Sequence, residues 1–139
     1  MPIITFTRIH PEARAPFLTY PNDACFDLYA SRSLNLLAHT HSRVHCGITM
    51  NIPPYFEGQL RGRSSLATKG ILCHLGTIDA GYLGEVGPIL FNLSNEDYLI
   101  NIGDRVCQIA IRPIYCELQS VLFHEVSNQE FQAIETHRG

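Results

Sequence analysis

The sequence predicts an all-β domain. Three observations lead there: short runs rich in β-branched residues, turn residues bounding most runs, and prolines scattered where a long helix would have to lie. Residues 3–9 (IITFTRI) form the first run. Residues 44–52, with partial alternation of apolar and polar positions, form the second, and Pro53-Pro54 closes it. Further runs follow at residues 85–93, 98–102, 105–114 and 118–124, separated in part by Asn95-Glu96-Asp97 and Gly103-Asp104. Pro53, Pro54, Pro88 and Pro113 argue against long helices, because proline lacks an amide donor and clashes with the preceding turn. Two places accept a short helix: residues 64–69, where serine can cap and Gly70 can terminate, and residues 128–136, weakly amphipathic. Many short strands at this spacing point to a sandwich or barrel.

The length of 139 residues, with no linker, repeat or low-complexity tract, makes residues 1–139 a single domain. A hydrophobic share of 45% is enough for a core without disulfides or a structural metal, and it excludes a disordered chain. Ten basic against 13 acidic residues leave no basic face for sequence-independent binding of nucleic acid, so no nucleic-acid partner is expected. No run approaches the roughly 18 apolar residues of a membrane span, and the first thirty residues lack a secretory leader, so no membrane partner is expected. Five cysteines without a C-x-x-C pair read as reduced thiols in an intracellular protein. The spacing His39-x-His41-x3-His45 falls in a turn leading into a strand, where helical i, i+4 facing does not exist, and structural zinc is not expected.

Four segments hold side chains that a core does not need. In residues 24–30 (ACFDLYA), Asp27 interrupts an apolar run. In residues 62–70 (GRSSLATKG), Ser64 and Ser65 enter a short helix beside Arg63 and near Lys69, an arrangement suited to an anion. Residues 76–87 (GTIDAGYLGEVG) contain four glycines, with Asp79 before a turn and Tyr82 three residues on. They predict a β-hairpin whose backbone can approach a flat heterocycle closely. The fourth segment, residues 103–109 (GDRVCQI), is a turn feeding a strand with Arg105 and Gln108 on it.

Taken in order, these four segments resemble the first four motifs of the homotrimeric dUTP pyrophosphatases (dUTPases). The second and third are the specific ones: Arg63-Ser64-Ser65-Leu66-Ala67, then Gly76-x-Ile78-Asp79-x-x-Tyr82-x-Gly84. The link over residues 68–75 is short, as in some virus-encoded members, and Arg138-Gly139 is similar to the start of the fifth, arm motif, at which the sequence ends. The resemblance implies a β-clip or distorted jelly-roll barrel, one short helix after the second motif, and a homotrimer with shared active sites. It implies hydrolysis of dUTP to dUMP and pyrophosphate with Mg²⁺ on the triphosphate, which keeps uracil out of DNA and supplies dUMP. The location implied is intracellular, in the cytoplasm or nucleus, of a host cell if the chain is virus-encoded.

Residue by residue, Asp79 matches the catalytic carboxylate that activates water for in-line attack on the α-phosphorus. Asp27 matches the acid that holds the metal through water. Gly76 and Gly87 match the positions whose main-chain groups read uracil, with Ile78 between them in the substrate pocket. Tyr82 matches the ring that packs under deoxyribose and leaves no room for a 2′-hydroxyl. Arg63, Ser64 and Gln108 match phosphate contacts, with Ser65 beside them, and Arg138 matches the terminal-phosphate arginine of the arm. Cys25 stands where relatives often place glycine. Two other functions remain open on the sequence: a catalytically weak nucleotide-binding or regulatory relative, and a dCTP deaminase. The deaminases share the second motif but need a glutamate where this chain has Ile89.

Overall fold

β-Branched and aliphatic residues at every second position bury one face of a strand and leave the other to solvent. The computed structural model, which describes residues 1–114 and 123–134, contains twelve strands among them. The first six are β1 (Thr5–Arg8), β2 (Phe26–Tyr29), β3 (Leu34–Leu36), β4 (His41–Arg43), β5 (Ile48–Asn51) and β6 (Phe56–Arg61). After helix α1 (Ser64–Ala67) come β7 (Ile71–Cys73), β8 (Thr77–Ile78), β9 (Glu85–Val86) and β10 (Ile89–Asn92). The series ends with β11 (Tyr98–Ile100), β12 (Arg105–Pro113) and helix α2 (Asn128–Gln132).

All pairings are antiparallel and assemble four small sheets, ordered β1-β5-β9, β4-β10-β7, β11-β3 and β2-β12-β6-β8. Their inner faces meet in one core that includes Leu28, Leu36, Ile48, Leu90, Ile100, Val106 and Ile109. A register shift between Arg105 and Cys107 lets the consecutive residues Val106 and Cys107 both turn inward, as a β-bulge does. The all-β expectation holds, and both short helices form where the sequence allowed them.

Several boundaries differ from the sequence-based expectation. The run at 44–52 becomes a strand only from Ile48, because Gly47 takes a positive φ of 68° and ends the extended backbone before it. The run at 85–93 splits into β9 and β10 around Gly87-Pro88. Arg63, not serine, is the N-cap residue of α1 and makes no side-chain cap bond, while Gly70 does stop the turn with a φ of 82°. The expected strand at 118–124 lies outside the described residues as far as residue 122, and Phe123 and His124 are not in a strand.

The largest correction concerns the glycine-rich hairpin. Its two arms exist, as β8 and β9, but they do not pair with each other. β8 pairs with β6 (Gly58↔Ile78, Gln59↔Thr77), whereas β9 pairs with β5 (Ile48↔Val86, Thr49↔Glu85). The segment is an opened hairpin spanning two sheets.

Candidate active site

Opening the hairpin creates a cleft of about 210 Å³ between its arms. Gly76, Thr77 and Ile78 line one side, Tyr82, Glu85, Val86 and Gly87 the other, and Arg43, Leu60, His74 and Ile89 complete it. Four residues expected at the base and sugar (Gly76, Ile78, Tyr82, Gly87) therefore share one cleft. Its apolar walls suit a flat heterocycle.

Glycine is sterically required at position 87 of the second arm, and at position 84 it makes room for the Tyr82 ring as placed. A side chain at position 87 would strike the Val44 carbonyl, and one at position 84 would strike the Tyr82 ring. Gly84 thus lets the Tyr82 ring fold back, bringing its hydroxyl 3.5 Å from the Glu85 carbonyl. The arm is fastened on both sides of Gly87: Val44 N–H donates to Pro88 C=O at 2.8 Å and Cys46 N–H to Val86 C=O at 3.2 Å. Among the described residues, no other group takes up the N–H or C=O of Gly87 itself. Gly76 is different, because its N–H donates to His74 C=O at 2.9 Å and its C=O accepts from Leu60 N–H at 2.8 Å.

Asp79 follows Ile78 in the turn that closes the opened hairpin. Its carbonyl accepts from Tyr82 N–H at 3.1 Å, and Gly81 supplies the positive φ of 80°. The carboxylate is exposed. Glu85 braces the return arm from behind: its carboxylate accepts from His45 Nδ1 and from Gly47 N–H, each at 3.1 Å. Partial burial pushes the Glu85 carboxyl up, but the bonds from His45 and Gly47, with the nearby charges of His45 and Arg43, outweigh it and hold it below its ordinary value.

The remaining expected residues gather elsewhere. In the sheet β2-β12-β6-β8, Asp27, Gln108 and Arg61 stand opposite one another in a single transverse row. Residues so paired share a face of the sheet. Gln108 Nε2 donates to Gly62 C=O at 2.9 Å and so ties the strand to the segment leading into α1. Arg63, Ser65, Lys69, Tyr98, Gly103 and Arg105 line a polar cleft of about 330 Å³, with Ser64 exposed on the same helix. Asp27 Oδ2 accepts from Thr19 Oγ1 at 3.3 Å and lies 3.9 Å from Arg105 Nη1. Arg61 Nη1 reaches the Cys25 sulfur at 4.0 Å. Arg138 lies outside the described residues.

Gly76 of the cleft lies against Leu60, the neighbour of Arg61, but Asp79 and the Asp27–Gln108–Arg61 row are apart within one chain. Asp79 sits one residue beyond the Gly58–Ile78 pair, four positions along β6 from the Arg61–Gln108 pair, or about 13 Å at the rise of a strand.

No set of three histidine, cysteine or acidic side chains converges as a metal site among the described residues. The three histidines of the 39–45 segment go separate ways: His39 bonds Asn95, His41 stacks on Phe91 and His45 bonds Glu85. Cys107 is buried beside the thiols of Cys46 and Cys73. The neighbouring Cys46 thiol, then that of Cys73, and burial push the Cys107 thiol well up, which makes it a poor nucleophile. The residues missed by sequence reading are Arg43, His74 and Glu85 in the cleft and Arg61 in the row; each is an isolated polar residue with no motif around it.

Residues 11–136 match the profile of the dUTPase family. The chain is 40% identical over 104 residues to the deoxyuridine 5'-triphosphate nucleotidohydrolase of Anaplasma marginale, covering 71% of each chain. It is 38% identical over 122 residues to that of Clostridium kluyveri, covering 86% of this chain and 82% of the relative. Among solved structures, a mutant dUTPase from phage phi11 of S. aureus, described for its coordination of a structural Mg(II) ion, superposes with a TM-score of 0.80. It is 24% identical, over 89% of this chain and 99% of that one. The dUTPase of Staphylococcus bacteriophage 80alpha with dUPNHPP gives a TM-score of 0.75 at 24% identity, over 91% and 93% of the two chains.

Proposed function

Since this chain belongs to the dUTPase family and is a dUTP diphosphatase, hydrolysing dUTP to dUMP and pyrophosphate, we propose that the opened hairpin holds deoxyuridine and that Asp79 activates the attacking water. One observation supports this above the others. The two arms pair with different sheets, bound a cleft with apolar walls, and leave the N–H and C=O of Gly87 without a partner among the described residues. Gly87 is half-buried, and backbone groups that become buried are normally paired, so a ligand that covers this wall of the cleft must complete them. Uracil has the complementary edge.

Asp79 stands next to Ile78 and is bonded through its carbonyl to Tyr82, both walls of the cleft. A nucleotide seated with its base between the arms and its sugar on Tyr82 would carry its α-phosphate past this carboxylate. Water is a poor nucleophile at neutral pH, and a positioned base contributes roughly 10²–10⁴-fold. Deprotonated, Asp79 takes the water proton as oxygen attacks the α-phosphorus in line and pyrophosphate leaves. Tyr82, held by the space over Gly84, fills the volume that a 2′-hydroxyl would need. Ile78, Ile89, Leu60 and Val86 form walls against which the 5-methyl of thymine would collide.

Magnesium fits the donors present, since Mg²⁺ prefers water and phosphate oxygens with only one or two carboxylates. Asp27, half-buried and backed by Thr19, would hold it through water. When bound, the ion offsets the charge of the triphosphate. Arg63, Ser64 and Gln108, with Ser65 beside them, would bind the phosphates, and Arg138 the terminal one.

The separation of about 13 Å between Asp79 and the Asp27–Gln108–Arg61 row supports a site built from more than one subunit. We therefore assign the chain to a homotrimer in which the opened hairpin of one copy faces the phosphate-binding segments of the next, a closed cyclic arrangement. No helix among the described residues is long and apolar enough to cross a membrane. Because the substrate belongs to the DNA-precursor pool, we assign the protein to the cell interior. Ile89 lines the cleft and brings no carboxylate, which disfavours deamination.

Two measurements test the proposal together. Pyrophosphate release should favour dUTP over dTTP, dCTP and UTP. Mixing the inactive variants Asp79→Asn and Gln108→Ala under conditions of subunit exchange should restore part of the activity. Absence of any recovery in mixed oligomers would refute the shared site, and equal turnover of all four nucleotides would refute the role of the cleft.

A further inference from the structure

We propose that Arg43 is a specificity-determining residue that distinguishes a pyrimidine 4-oxo group from a 4-amino group. The inference rests on the cleft between the arms being the base site. Arg43 ends β4 opposite Ile89 of β10, and its side chain crosses the α-carbon of Gly87: a Cβ there would lie 3.2 Å from Arg43 Nε. One terminal nitrogen donates to the Glu85 carbonyl, the same carbonyl that the Tyr82 hydroxyl approaches. Among the described residues the guanidinium is therefore anchored at the cleft by a single bond, with donors left over from the five it carries.

No carboxylate among the described residues forms an ion pair with it. Among the described residues the ion pairs are His45–Glu85 and Arg105–Asp27, and the Glu85 carboxylate is already held by His45 and Gly47 N–H. A positive, donor-only group thus sits beside Gly87, whose N–H has no partner among the described residues. Across the cleft, Gly76 has its N–H spent on His74 and one lone pair of its C=O on Leu60, which limits what the backbone alone can read. A side-chain donor at Gly87 makes up that deficit. Against a 4-oxo group it adds a charge-assisted hydrogen bond; against a 4-amino group it opposes donor to donor, and neither side is satisfied. Sites built to bond a particular polar group reject analogues lacking it far more strongly than shape alone allows.

The test measures steady-state pyrophosphate release from dUTP and dCTP by the full chain, wild type against Arg43→Leu and Arg43→Lys, with folding checked by thermal melting. For Arg43→Leu the KM for dUTP should rise about 10- to 100-fold with kcat little changed, and the dCTP/dUTP ratio of kcat/KM should rise about tenfold or more. Inhibition by dUMP should weaken in parallel, whereas inhibition by tripolyphosphate should not move. Arg43→Lys keeps the charge but loses the planar fork, so its ratio should rise as well, which keeps the test decisive if the leucine variant fails to fold. An unchanged dCTP/dUTP ratio in a folded variant, or a loss of tripolyphosphate inhibition equal to that of dUMP, overturns the assignment of Arg43 alone. A wild type that does not prefer dUTP to dCTP overturns the base site itself.

Discussion

Replacing Gly87 with alanine perturbs the base cleft by one methyl group. The new Cβ would land on the Val44 carbonyl and within 3.2 Å of Arg43 Nε. Val44 cannot readily yield, because its own N–H is bonded to Pro88 C=O at 2.8 Å and the next tie, Cys46 N–H to Val86 C=O at 3.2 Å, holds the other side. The arm must therefore lift outward and stretch both bonds. Overpacking of this kind costs about 1–3 kcal/mol, and weakening one backbone bond adds about 1 kcal/mol. A loss of about 2–4 kcal/mol should lower the melting temperature by about 6–15 °C in a chain of this length. The same displacement moves the Gly87 N–H away from the base, so the KM for dUTP should rise about tenfold or more. Circular dichroism melting and pyrophosphate release measure the two effects. If Gly87→Ala melts like the wild type and keeps its KM, the arm is not sterically held and does not read the base.

Tyr82→Ala should raise the UTP/dUTP ratio of kcat/KM by about tenfold, because the ring guards the 2′ position; unchanged sugar selectivity in steady-state assays would count against the assignment. Glu85 has its folded-state pKa held below the ordinary 4.5, so its contribution to stability is present above that value and is lost as the pH falls through the lowered one. Glu85→Gln should accordingly melt lower than the wild type at neutral pH, with the two curves converging in acid. Chelating divalent ions should reduce dUTP turnover by about tenfold or more, with recovery on adding Mg²⁺.

The first and last strands are legible because they are rich in β-branched residues and their ends are marked: residues 3–9 yield β1, and residues 105–114 yield β12 almost whole. β6 is not, since FEGQLR contains a glycine and two charged residues, Glu57 and Arg61, and buries only Gly58 and Leu60 fully. Its strand character comes from lying between β12 and β8, which is tertiary information. The opened hairpin was misread for a related reason. Glycines on both arms signal close backbone approach, but not which strands the arms approach, and here they go to β6 and β5. Asp27 and Gln108 were singled out from separate segments, and the register places them side by side. Arg43 gave no signal, because a lone arginine after His41-Ser42 resembles any solvated strand end until Gly87 is seen beneath it.

The single-turnover rate of Asp79→Asn at saturating dUTP is the most direct check on the chemistry. The amide preserves the shape of the turn and cannot accept the water proton. Bound nucleotide should then persist at nearly wild-type affinity while the rate falls about 10²–10⁴-fold. A variant that releases pyrophosphate within a few-fold of the wild-type rate would show that another group activates the water.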